Sequence, residues 1–135
     1  MPTFTDPAAD ADEAREAVRG LAHATRSIDD PTAIYPVLGA ISSALASMAQ
    51  SLHQLANFHD DPTRKGARGN GDPHADRTAS YRESWELHRA AEMIHQVAEC
   101  VDRAHEIEAT IAYVIPDHPS LAPVQRPSHR PGLSL

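Results

Sequence analysis

Nine histidines and eight glutamates are the side chains of this 135-residue chain with the most obvious chemical use. Glu92-Met93-Ile94-His95 carries the Glu-x-x-His spacing, which puts a carboxylate and an imidazole on one helix face. A carboxylate-bridged di-metal centre in a helical bundle needs two such motifs and two further glutamates from facing helices. Here there is one motif, and the stretch that would face it, residues 31–59, has no carboxylate. If the helices carrying these residues run antiparallel, His59 is expected near Glu86 and His88, and His53 near Glu92. His59, His88 and Glu92 are then the best-placed metal candidates. Eight Glu and nine His give about half a Glu-x-x-His by chance, and nothing supplies three or four converging ligands. The expectation is therefore no metal and no cofactor. A second recurrent spacing is Arg-x5-His, present as Arg82–His88, Arg89–His95 and Arg68–His74.

In that spacing the chain resembles the HEPN-type helical ribonucleases. The resemblance implies Arg82 and His88 as a catalytic pair acting on a scissile phosphate, with two copies meeting across a dimer. The polar residue usual in that family just after the arginine is here Glu83 in one copy of the motif and Ala90 in another. A helix also sets residues six apart well off one face, and eleven Arg with nine His yield about two such spacings by accident. Tyr113-Val114-Ile115-Pro116-Asp117 has the Tyr-x-x-x-Asp pattern, and in it and in size the chain resembles helical type VII secretion substrates. The Trp-x-Gly turn of those substrates is missing, because Trp85 is followed by Glu86 and Leu87. Cys100, with acidic Glu99 and Asp102 nearby, reads as a packing side chain and not a nucleophile. Trp85 and Tyr81 read as aromatic cover for a bundle end.

The element that must position these groups is the stretch 31–59, which has no Asp, Glu, Lys or Arg although 23% of the chain is charged. Ile34, Leu38, Ile41, Leu45, Met48, Leu52, Leu55 and His59 follow one another at spacings of four and three, the period of a helix stripe. Gly39, Ser43, Ser47 and Ser51 form a ridge of small residues at spacing four. The expectation is one helix buried on two sides, by a leucine seam and a small-residue seam. Asp6-Pro7 and Asp29-Asp30-Pro31 are helix starts, with aspartate as N-cap and proline in the first turn. Pro36 calls for a separate turn over 32–35 or a kink. Ser80-x-x-Glu83 reads as a capping box for a third helix, stopped by Pro116. The helices are expected at about 7–28, 32–59 and 81–115. The first covers the small-residue ridge of the second, and a basic loop at 60–79 precedes the third.

Aromatic residues make up only 4% of the chain, so its core must be built of Ala, Leu, Ile and Val. Such side chains bury little area each, and self-association is the natural remedy. A net charge of −7 disfavours nucleic acid except through the basic loop 64–77. One cysteine fits a reducing compartment, residues 1–12 lack the layout of a secretory signal, and a cytoplasmic location is expected. Ser42, Ser43, Ser47, Gln50, Ser51, His53, Gln54 and Asn57 argue against a membrane span over the charge-free stretch. With eleven arginines to one lysine, the chain resembles small uncharacterised all-helical proteins of actinobacteria, which implies a fold and no function. The expected fold is all-α: a three-helix bundle over residues 6–115 with a long antiparallel helical hairpin, a flexible start at 1–5, a disordered loop and a disordered proline-rich tail at 116–135. The expected role is a non-catalytic scaffold or interaction protein, a homodimer with an unknown protein partner. Its interface is expected on Leu38, Gly39, Ser43, Leu45, Ser47, Met48 and Leu52.

Overall fold

The structure is a computed structural model that describes residues 1–61, 72–114 and 132. Its elements are α1 (Pro7–Ala24), a single 3-10 turn (Pro31–Ala33), α2 (Ile34–Asp60) and α3 (Pro73–Glu108). Among the described residues there is no strand, and the all-α class follows from the helical period of the apolar residues. The basic cluster Arg64, Lys65 and Arg68 lies outside the described residues, as does the proline-rich tail apart from Gly132.

Each helical segment begins at an Asp-Pro pair. The Asp6 carboxylate accepts from the backbone N–H groups of Ala8 and Ala9. That of Asp30 accepts from the Thr32 N–H at 2.9 Å and its hydroxyl at 2.7 Å. That of Asp72 accepts from the His74 N–H at 3.0 Å. The aspartate satisfies a donor that the first turn leaves unpaired, and proline loses nothing there because its missing N–H would have had no partner. The same rule corrects the expected start of the third helix. Asp72-Pro73 opens α3 eight residues before the Ser80 box, and Ser80 sits inside the helix with its hydroxyl turned to His59 at 3.2 Å. Pro36 raises no conflict either. The chain makes the 3-10 turn first and α2 starts at Ile34, so Pro36 falls in an opening turn where its absent N–H is not missed.

Both outer helices end earlier than expected, each beside a threonine. The Thr25 hydroxyl and N–H both donate to the Leu21 carbonyl, and the Thr110 hydroxyl donates to the Ile107 carbonyl at 2.7 Å. Local side-chain bonds of this kind compete with continuation of the helix. At the other end of the chain, residues 1–5 make exposed contacts with the first turns of α1. The N–H groups of Thr3 and Phe4 donate to the Asp10 carboxylate, and the terminal ammonium pairs with Glu13.

Helices α2 and α3 pack antiparallel: Ser42 meets Asp102 toward one end and Asp60 meets Ser84 toward the other. The residues buried between them are Ala49 and Ala56 on α2 and Ser84, Ala91 and Ala98 on α3. On both helices these small residues recur every seventh position, which keeps one seam facing the partner along its length. Leu38, Leu45 and Leu52 flank that seam on α2, and Leu87, Ile94 and Val101 on α3, all half-buried. This differs from the expected seams. The small residues at the contact are Ser42, Ala49 and Ala56, whereas Ser43, Ser47 and Ser51 face solvent. Of the expected leucine stripe, Met48 and Leu55 are left 45% and 54% exposed. The expected burial of α2 on two sides is therefore not found; it is covered along one. The expected cover does not form either, since α1 makes no contact with α2 or α3.

Candidate functional site

Where the polar flanks of α2 and α3 meet, side chains from both helices form a connected line. His53 and His88 face each other with their Nδ1 atoms 2.8 Å apart and their rings tilted at 42°. The outer nitrogen of His88 lies 3.1 Å from Asp60 Oδ2, and that of His53 lies 3.4 Å from Glu92 Oε1. The hydroxyl of buried Ser84 donates to the other oxygen of Asp60. Spacing explains the assembly. His53 and Asp60 are seven apart on α2, and His88 and Glu92 are four apart on α3, so each pair shares a helix face. The antiparallel register then sets the two faces edge to edge. A carboxylate, two imidazoles and a second carboxylate in a line can hold or pass protons, or hold a cation.

The structure keeps some of the expected neighbours and moves others. His53 meets Glu92 as expected. His59 was expected near Glu86 and His88, but it lies about one turn along α3, on Ser80 at 3.2 Å and Glu83 at 3.3 Å. The metal candidates His59, His88 and Glu92 are thus divided between two places. Among the described residues no three His, Cys, Asp or Glu side chains converge into a ready metal cage. His95 does not join Glu92 in a shared site; its imidazole pairs with Glu99 on its own helix at 3.6 Å. Sequence reasoning placed His53 beside Glu92 but missed the His53–His88 contact and the part of Asp60. The signal was the heptad recurrence of small residues, which sets how each helix is rotated about its axis toward the other.

Arg82 and His88 are not brought together. Both imidazole nitrogens of His88 are engaged by His53 and Asp60. Arg82 lines an open groove of about 440 Å3 with Thr78, Tyr81, Trp85 and Glu86, around the helix from His88. Six residues of helix turn the two side chains through roughly 120°. Trp85 is 60% exposed and carries the Arg89 guanidinium 5.4 Å from its ring centre, so it does not cap a core. The Cys100 sulfur accepts from Arg103 at 3.0 Å on an exposed face. Tyr113 donates its hydroxyl to Glu108, which holds its proton on and raises its pKa. Asp117, the other half of the Tyr-x-x-x-Asp pattern, lies outside the described residues.

Comparison with known proteins returns no relation: no family model, no curated protein and no solved structure matches the chain.

The expected interface residues fall in three places. Leu38, Leu45 and Leu52 are half-buried on the face turned to α3. Gly39 lies under His105, where an added Cβ would stand 3.1 Å from the ring Nε2. Ser43 and Ser47 are exposed on the far side, and Met48 is an exposed apolar residue. Met48 belongs to a larger feature. Since His53 and Asp60 of α2 meet His88 and Glu92 of α3 along one edge of the pair, the opposite flanks share the other edge. On α2 that edge carries Ile41, Met48 and Leu55; on α3 it carries Met93, Val97 and Ile107. Met93, Val97 and Ile107 are 55%, 50% and 62% exposed. The register places Met48 level with Val97, so the two rows form one apolar strip.

Proposed function

We propose that this protein is a non-catalytic helical interaction protein that works by helix–helix association, and that a second copy covers its apolar strip. The observation that carries this reading is the mismatch between core and surface. Within one chain no apolar residue larger than alanine is buried among the described residues, while Met48, Leu55, Met93, Val97 and Ile107 stand about half in water. Fully burying a side chain of this size is worth about 1.5–3 kcal/mol. The alanine seam uses none of that. Two strips set face to face make a bundle of four long helices from two thin pairs, with the larger residues as its core. An isologous contact of this kind needs no residue beyond those already on the strip.

The Pro31–Asp60 segment is long and apolar enough, by length and composition, to cross a membrane. A protein partner fits better than lipid. Helix α3 lies along α2 and carries Arg82, Glu83, Glu86, Arg89, Glu92, Glu99, Asp102, Arg103 and Glu106. Taking such a helix into hydrocarbon costs about 2.5–3.5 kcal/mol per charged residue at the bilayer centre. The ribonuclease pair Arg82 and His88 gains no support from geometry that holds them apart.

The test is the mass of the full chain in solution, by analytical ultracentrifugation, for wild type, Met48→Glu/Val97→Glu and the far-face control Ser43→Glu. The expected result is a dimer for wild type and control, and a helical monomer for the double variant. A wild-type monomer throughout the micromolar range, or co-flotation of wild type with lipid vesicles, would overturn the reading.

A further inference from the structure

The hydrogens of the His53–His88 pair can be placed one by one. Asp60 accepts from the Ser84 hydroxyl at one oxygen and from His88 Nε2, 3.1 Å away, at the other. An ionised carboxylate has no hydrogen to give, so His88 carries its own on Nε2. Its Nδ1 is then a bare lone pair. The 2.8 Å contact with His53 Nδ1 is therefore a hydrogen bond only when His53 carries its hydrogen on Nδ1. Two neutral rings fill both bonds, and they do so as opposite tautomers. The nitrogen left bare is His53 Nε2, which faces Glu92 Oε1 at 3.4 Å, acceptor to acceptor.

This arrangement has room for one more proton and no second. A proton on His53 Nε2 keeps both bonds and sets a cation against the Glu92 carboxylate. The rings then hold three hydrogens, one on each outer nitrogen and one between the two Nδ1 atoms. A second proton has to go to His88 Nδ1, whose lone pair already serves His53. Two N–H groups and two like charges would then face each other across 2.8 Å. We propose that the pair is an acid-sensitive switch in the α2–α3 hairpin, closed with no added proton or one and opened by the second. Asp60 and Glu92 are the carboxylates on the pair, and both sit outside the two rings. They favour the first proton and do not separate the Nδ1 atoms. Elsewhere along the two helices Asp102 is held by Ser42, His95 by Glu99, and His59 by Ser80 and Glu83. Helix α1 brings no charge to the pair because it touches neither helix. Both imidazoles are 37% exposed, so the rings can swing apart into water. His53 lies three residues before Ala56 and His88 three before Ala91, both fully buried, so parting the rings loosens the seam at that level. The switch belongs to one chain and does not depend on the second copy.

Proton counts give the sign and size of the effect. Below about pH 6.5 the unfolded chain binds a proton on each of the two rings, as free imidazoles do. The closed pair binds one. The unfolded state then holds one proton more, so stability falls with pH, by about tenfold in the folding constant per pH unit.

The experiment has two parts, both on the full-length protein at fixed concentration. Long-range nitrogen-15 NMR at neutral pH is expected to show His88 as the Nε2–H tautomer and His53 as the Nδ1–H tautomer. Urea unfolding is then followed from neutral pH down to about pH 5, across the imidazole range. In His53→Gln or His88→Gln the remaining ring can take its own proton while folded. Wild type is therefore expected to lose about tenfold more folding constant per pH unit than either variant. His95→Gln, on an exposed imidazole paired with its own helix, should keep the wild-type slope. Circular dichroism at neutral pH confirms that the helices of each variant persist. Two results would overturn the proposal: the same tautomer in both rings, or parallel loss of stability in wild type, His53→Gln and His88→Gln.

Discussion

Replacing Ala91 by leucine tests the central packing statement most directly. Ala91 is 0% exposed on the α3 face that meets α2, as is Ala56 on the facing helix. Leucine adds three carbons where water cannot reach, so the extra volume is accommodated only by moving the helices apart. Overpacking of this kind costs about 1–3 kcal/mol. Separation also loosens Ala49, Ala56 and Ala98, whose burial is worth about 0.8 kcal/mol per methyl-sized group. Against this, leucine regains part of its own transfer energy if its tip reaches an apolar neighbour. A net loss of about 2–3 kcal/mol is expected. That is a large share of the roughly 5 kcal/mol at the low end for small domains, and it lowers the melting temperature by on the order of 10 °C or more. The assay is urea unfolding followed by circular dichroism at 222 nm. Ala40→Leu, at an exposed position on the far side of α2, serves as control and is expected to stay within about 0.5 kcal/mol of wild type. An Ala91→Leu protein that unfolds at the wild-type midpoint would refute the close approach of the two helices at that level.

Other consequences follow from single contacts. Gly39→Ala gains about 1 kcal/mol of helix propensity, but its new Cβ would meet His105 Nε2 at 3.1 Å, in a ring stacked 4.1 Å from Tyr35. The substitution is expected to be near neutral alone and stabilising in a His105→Ala background, as read from unfolding midpoints. Asp72→Ala should cost about 1 kcal/mol by removing the cap of α3, with helical signal lost over residues 73–80; a value near zero would place the start of the helix elsewhere. The Thr32 hydroxyl and then its N–H hold the Asp30 carboxyl below its ordinary value of 3.8. A carboxyl lowered in the folded state contributes stability above 3.8 that is lost as pH falls through its folded value. Thr32→Val, which keeps the N–H, should raise the Asp30 midpoint in a carbon-13 carboxyl titration without returning it fully to the ordinary value.

The residues that were legible in advance are those whose effect is local. Asp6-Pro7 and Asp30-Pro31 mark helix starts because an N-cap needs only its own next three residues. Asp72-Pro73 carries the same signal, hidden by a capping box eight residues on that is equally good in isolation. The His53–Glu92 neighbourhood was legible because antiparallel pairing of the two long helices in the register found sets residues 53 and 92 level. The His53–His88 contact, the place of Asp60 and the exposure of Met48 were not legible, since a rotation of each helix by a fraction of a turn decides them.

Sequence alone determined the all-α class and the absence of charge over residues 31–59, because periodicity and composition belong to the chain itself. Only the tertiary structure decided which stripe of α2 is spent inside the molecule. Alanine and serine at every seventh position let the two backbones come close, and that close approach turns Ile41, Met48 and Leu55 away from α3. Those larger residues are thereby left on one edge of the pair, and the imidazoles and carboxylates are drawn into line along the other.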